Sequence, residues 1–328
     1  MGNNGTVVLM AYTIRLREKN DTKKLLDLSN FGDNNEDLYE IIKTYLESQK
    51  PKAGMNPKIY KEGNKKTLFF NTVDYDDKKR EIRSRVDIGE YGLSYPLIDV
   101  DTGATKYTAE RNDTTALPIN FYINIPNSLT QKGIKRTHGI IVFEKFRNRG
   151  AKGLFHENFD KYFKMDHEDL KVEIESYTPD YILEYLRNNL DGKALTKVEL
   201  KSLVIPKDLT DVYSGKGLEK KAATIKVELS GAGFSESFLS GIQSRLRHEA
   251  PVTGIVGEWL TPEQISFNVE VDGERKRIII KEEGETVLPG IDITSKVEDD
   301  KNTGFPLQSD VYREAEKHAK QILERMDR

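Results

Sequence analysis

Cysteine is absent from the 328 residues. Disulfides, thiolate nucleophiles and cysteine-held zinc or iron–sulfur centres are excluded in one step, and a reducing cytoplasm is the compartment that fits. Long apolar runs are also missing: no stretch approaches the ~18–20 residues that cross a bilayer. The opening residues lack the basic and then apolar layout of a secretion signal, although Met1-Gly2-Asn3-Asn4-Gly5-Thr6 fits the N-myristoylation pattern. No sign of charge dominates, since 51 Lys+Arg against 54 Asp+Glu leave a net of -3, so bulk charge dictates no partner. A phosphate-cradling loop is lacking as well. Gly215-Lys216-Gly217 is too short, and Ser230-Gly231-Ala232-Gly233-Phe234 has no P-loop lysine, although it lies between an expected strand and helix where backbone N–H groups can hold an anion. The histidines (His138, His156, His167, His248 and His318) show no metal-ligand spacing. Trp259 is the only tryptophan, an anchor in a core or against a partner.

What is present is enough for real cores: 37% of residues are hydrophobic, and 32% are charged, above the roughly 25% of average globular chains. The length suggests two domains. A proline-, aspartate- and glycine-bearing stretch, Pro206 to Gly217, is the best linker, which predicts domains over 1–205 and 206–328. The second part holds 18 Lys+Arg and 23 Asp+Glu, and the first 33 and 31, so the C-terminal domain is mildly acidic.

The richest stretch runs from Pro118 to Leu186. Ile119, Phe121, Ile123 and Ile125 alternate with more polar neighbours, the period-two signature of a half-buried strand, and Gly139 to Phe143 forms a second apolar run. Upstream, Thr6 to Leu16 reads as a strand. Glu36 to Glu47 reads as a helix capped by Asn35, with Leu38, Ile41, Ile42 and Tyr45 on one face. Pro57 to Asp74 reads as two strands around Glu62-Gly63-Asn64, Arg80 to Ser94 as a strand, and Leu97 to Gly103 as a strand end and turn. Downstream come a helix over Leu154–Phe163, a strand over Leu170–Glu175, a helix opened by Thr178-Pro179 and a strand over Lys197–Ile205. The second half adds a strand from Ala223 to Leu229, a helix capped by Ser235, a hairpin turning at Asp272-Gly273 and a last helix from about Ser309 to Met326. Strands and single helices mix without βαβ alternation. The expected class is α+β, two domains built on mainly antiparallel sheets with packed helices.

Between Gln131 and Lys152 lie Lys132, Lys135, Arg136, Lys145, Arg147, Arg149 and Lys152 against a single acid, Glu144. Such a run, with Phe143, Phe146 and Phe155 interleaved, can track a phosphate backbone and offer rings to unpaired bases. The bland alternative is a solvated loop whose phenylalanines turn inward. Arg245, Arg247 and His248 add positive charge at a helix end, where cations are favoured anyway. Asp99 with Asp101, and Asp299 with Asp300, could ligate a hard cation, but a nuclease needs carboxylates gathered from separate elements. No such set stands out, and neither catalytic residues nor cofactors are assigned.

The order of elements from about residue 60 to 210 resembles a group of bacterial anti-phage proteins, the RexA phage-exclusion sensor and the DNA-binding KwaB subunit of the Kiwa system. The stretches that carry the likeness are the strand ending at Pro126, the strand Gly139–Phe143, the helix with Phe155, Phe159 and Phe163, the strand Leu170–Glu175, the helix Thr178–Leu186 and the strand Val198–Pro206. The resemblance implies a cytoplasmic, DNA-binding homo-oligomer acting beside another subunit of a defence system, without insertion into a membrane. The alternatives left open are a metal-dependent nuclease and a protein-interaction or scaffold subunit.

Overall fold

A computed structural model describes residues 5–50, 60–62, 65–128, 135–147, 149–177, 195–202, 225–230, 234–246, 264–271, 274–281, 284–288 and 290–326. In chain order the first elements are β1 (Val7–Glu18), β2 (Asp21–Leu25), α1 (Leu38–Gln49), β3 (Tyr60–Glu62), β4 (Lys66–Asp76), β5 (Glu81–Glu90), β6 (Tyr95–Ile98) and β7 (Thr105–Ala109). They are followed by β8 (Leu117–Asn124), β9 (Gly139–Phe146), β10 (Arg149–Gly150), α2 (Lys152–Phe163), β11 (Leu170–Ser176) and β12 (Leu195–Ser202). The chain continues with β13 (Ile225–Ser230), α3 (Glu236–Leu246), β14 (Gln264–Val271), β15 (Glu274–Lys281), β16 (Gly284–Leu288), β17 (Gly290–Asp292) and α4 (Gln308–Met326). The structure has the α+β class read from the sequence, and no described helix is long and apolar enough to cross a membrane.

Contacts divide the chain into two compact units, residues 1–175 with 292–328, and residues 176–291. The expected single cut between 205 and 206 is not one of these limits. The chain leaves the first unit before β12, which pairs with β13 and β14, and returns to it for α4. Composition marks a stretch rich in turn-forming residues, but it does not reveal which sheet a strand joins.

The first unit is built on a ten-stranded sheet whose main path is β11-β1-β9-β8-β5-β4-β3. Successive side chains point to opposite faces, so register decides what is buried where. Ile119, Phe121 and Ile123 of β8 face the same side as Phe143 of β9 and Val86 of β5. Phe121 and Phe143 pack against Phe155 of α2, and Tyr45 of α1 packs against Phe70, Phe155 and Phe159. These aromatic pairs lock α1 and α2 to that face, each pair contributing about 0.5–1.5 kcal/mol beyond area burial. The opposite face of β8 and β9 meets α4, whose buried stripe is Val311, Tyr312, Ala315, Ala319 and Ile322.

α1 starts two residues later than expected. Its cap is Asp37, whose side chain accepts from Tyr39 N at 2.8 Å, while Asn35 takes a left-handed φ of 55° in the turn before it. Arg80 fixes this cap with two bonds to the Asp37 carboxylate, at 2.8 and 2.6 Å.

The second unit carries a five-stranded sheet, order β13-β12-β14-β15-β16, antiparallel throughout. Among the described residues, Val198, Leu200, Ile265, Phe267 and Ile278 are buried apolar side chains of this sheet. Ser235 caps α3 as expected, accepting from Phe238 N at 3.3 Å. The expected helix from Thr178, the linker Pro206–Gly217, the glycines at 231 and 233, Arg247, His248 and Trp259 lie outside the described residues.

Candidate nucleic-acid interface

The basic run is a cluster in sequence, and the fold splits it. β9 has eight residues and therefore holds its ends about 24 Å apart. Lys135 and Arg136 precede it. Lys135 is exposed, and Arg136 is tied into the loop beside Asp27, its N–H donating to Ser128 Oγ at 2.9 Å and its carbonyl accepting from Leu28 N at 2.8 Å. Lys145, Arg147, Arg149 and Lys152 gather at the other end. Lys132 lies outside the described residues.

At that second end β9 turns into β10 through a tight hairpin, with Phe146 opposite Arg149 and Lys145 opposite Gly150. Two-residue hairpin loops need left-handed backbone, and Arg147 supplies it at φ 47°. Arg147 is exposed and lies over the Phe146 ring, 5.4 Å from its centroid. Phe146 is itself buried against Phe305. Arg149 is exposed. Among the described residues, neither Arg149 nor Lys145 makes an ion pair. Lys152 is half-buried with its Nζ 5.6 Å from the Tyr12 ring centroid. Burial lowers its pKa, and the Glu175 charge opposes that shift.

α2 begins immediately after β10, at a start that has no conventional protection. Its N-cap, Ala151, offers no side chain to the free N–H groups, and no acid sits in the first turn. Helix N-termini carry a partial positive charge and orphan donors, so cations at Arg149 and Lys152 add to an uncompensated positive field. A cavity of about 320 Å³ opens there, lined by Lys66, Ile88, Gly89, Glu90, Arg149, Gly150, Gly153 and Leu154. A side chain at Gly153 would meet nothing within 4 Å, so the backbone is bare at the helix start. Two cations face one acid, Glu90. No protein-family model, curated protein or solved structure matches this chain.

Phe143, Phe146 and Phe155 are all in the core, which excludes them as stacking platforms for bases. Glu144, the single acid of the run, is buried too: it reaches Asn120 on β8, accepting from its N–H at 2.8 Å and its Nδ2 at 2.7 Å. Of the acidic pairs, Asp99 is committed to a turn, accepting from Asp101 N and Thr102 N and contacting Lys106. Those bonds, the Lys106 bond above all, hold its pKa down to about 2. Asp300 likewise accepts from Asn302 N and Thr303 N. Among the described residues no three His, Asp or Glu side chains gather at metal-binding spacing. Arg245 is buried, away from any surface role.

Sequence reasoning did not single out Lys66, which reaches this cavity from β4. It also passed over Gly150-Ala151-Lys152-Gly153 as a helix start. The available signal was a helix opening with glycines and cations where a hydroxyl or carboxylate cap is the norm.

Proposed function

We propose that this chain binds nucleic acid through its phosphate backbone, most directly duplex DNA, at the start of α2. In this reading it serves as a cytoplasmic sensor or effector subunit of a bacterial anti-phage system. The binding half rests on one observation: Arg149, Lys66 and the uncapped N-terminus of α2 converge on one open cavity. Backbone N–H groups and guanidinium or ammonium groups are the donors that phosphates take. The burial of the interleaved phenylalanines favours backbone contacts over base stacking. The defence half rests on the resemblance in element order. Of the acidic pairs considered for the metal-dependent nuclease alternative, Asp99 and Asp300 each accept two backbone N–H groups within their own turns.

The test is fluorescence anisotropy with a short labelled duplex across a salt series. Substituting Arg149→Ala and Lys66→Ala together is expected to weaken binding at least tenfold, and to reduce the slope of log affinity against log salt by about 2. Lys135→Ala, at the far end of β9, is expected to leave both unchanged. Unaltered affinity in the double variant overturns the assignment.

A further inference from the structure

The charged side chains of the cavity at the start of α2 come from three elements: Lys66 from β4, Glu90 from β5 and Arg149 from β10. Lys66 and Glu90 are direct partners in the β4–β5 register, which sets their Cβ atoms about 5 Å apart on one face of the sheet. All three residues are exposed, and among the described residues none of them makes an ion pair. Two cations and a carboxylate are therefore all open to a ligand.

The backbone adds donors. The first bond of the α2 ladder runs from Phe155 N to Ala151 O at 2.9 Å, so the N–H groups of Lys152, Gly153 and Leu154 precede that ladder. Two glycines keep the approach clear: a Cβ on Gly153 would meet nothing within 4 Å, and one on Gly150 nothing closer than 3.6 Å. On the strand side the cavity is backed by a loop, because a Cβ on Gly89 would stand 2.2 Å from Thr114 Oγ1 and 2.3 Å from Thr115 O. At about 320 Å³ the space is at the small end of ligand pockets. It takes one phosphate and its sugar, not the run of phosphates along a duplex.

An acid inside a phosphate site selects among phosphates. An internal phosphodiester has two free oxygens and no proton to share near neutral pH, so it meets Glu90 only as a like charge. A phosphomonoester has three free oxygens, and its second proton leaves with a pKa of about 6. It can offer two oxygens to Arg149, Lys66 and the helix N–H groups, and donate the third, as O–H, to Glu90. The same carboxylate that repels the diester then accepts a charge-assisted hydrogen bond, which is the stronger kind. We propose that this cavity holds the terminal phosphomonoester of a nucleic-acid strand, with Glu90 distinguishing that end from an internal phosphate. This assignment rests on the phosphate-binding function proposed for the same site and narrows its substrate to strand ends.

The test uses the full chain and short duplexes of one sequence with an internal fluorophore, whose ends carry 5′-phosphates, 3′-phosphates or hydroxyls only. Anisotropy is expected to show one phosphate-ended duplex binding about tenfold more tightly than the hydroxyl-ended one, and which of the two it is assigns the 5′ or the 3′ end. Inorganic phosphate is expected to erase that preference, and covalently closed circular DNA to compete poorly for equal mass. Glu90→Gln keeps the size of the side chain and removes its charge. It is expected to strengthen binding to the hydroxyl-ended duplex and to cut the preference to about twofold, with the melting temperature kept. Equal wild-type affinity for all three duplexes overturns the strand-end assignment. If Arg149→Ala with Lys66→Ala still weakens all three, the phosphate-binding reading survives that failure. Absence of binding to any duplex, or indifference to the double substitution, overturns both. A preference retained in full by Glu90→Gln overturns the role of Glu90.

Discussion

Glu144 is 1% exposed, and its Oε1 has no hydrogen-bond partner among the described residues. Burial raises its pKa to about 7, against the lowering effect of the two Asn120 bonds and of the Arg85 charge. The folded chain thus holds a proton that the unfolded chain, with an ordinary value of 4.5, releases earlier. Between those two values the folded state binds more protons, so this residue's contribution falls as pH rises from about 4.5 and is gone above about 7, a change of about 3 kcal/mol. Glu144→Gln keeps an acceptor for Asn120 and removes the titration. Urea midpoints measured from pH 5 to pH 8 are expected to decline in the wild type and to stay flatter in the variant, with the variant the more stable at pH 8. Equal slopes would exclude Glu144 as the source. Half-buried turn carboxylates such as Asp99 and Asp300, whose pKa values are lowered by hydrogen bonds, act in the opposite direction, and their contribution is lost as the solution turns acid.

At the scale of elements, α1 shows what the sequence could and could not specify. Its apolar period placed the helix, but the cap was read two residues early. Asp37 followed by Glu40 at the third helical position is the stronger start signal, and Arg80, distant in sequence, holds Asp37 in place. Removing the Asp37 carboxylate takes away both the cap and the partner of a partly buried guanidinium. Asp37→Ala is therefore expected to lower unfolding stability by about 2–3 kcal/mol, and Asp37→Asn, which can still cap, by less; chemical denaturation measures both. β9 gives the complementary lesson. The alternation of Ile140, Val142, Glu144 and Phe146 continues beyond the apolar run that marked the strand, so three residues counted as basic loop belong to the sheet. Charge counting treats every residue as surface, whereas the register buries Glu144 and Phe146 and divides the cations between two ends of one strand. β7 was passed over because Thr105-Lys106-Tyr107-Thr108-Ala109 buries only its last residue, which leaves no hydrophobic alternation to detect.

For the molecule as a whole, the main departure from the sequence reading is that the first unit is made of two separated segments. Local patterns located most strands and helices, but nothing local says that the stripe of α4 belongs to a sheet that begins at residue 7. Both segment ends meet β1: Thr13 Oγ1 donates to Glu175 O at 3.5 Å, and Val7 N donates to Thr294 Oγ1 at 2.9 Å. Six residues of strand separate these anchor points, about 20 Å, a span matched by a flexible linker of about 13 residues. A chain in which residues 176–291 are replaced by such a Gly/Ser linker is expected to fold with a single cooperative melt. A chain ended after residue 205 lacks α4 and leaves the Glu144 face of the sheet uncovered. It is expected to lose cooperative unfolding and to expose apolar surface to a hydrophobic dye. Circular dichroism melts of the two shortened chains separate the alternatives, because a cooperative melt in the chain ended at 205 would mean that α4 is dispensable and that the first unit is continuous after all.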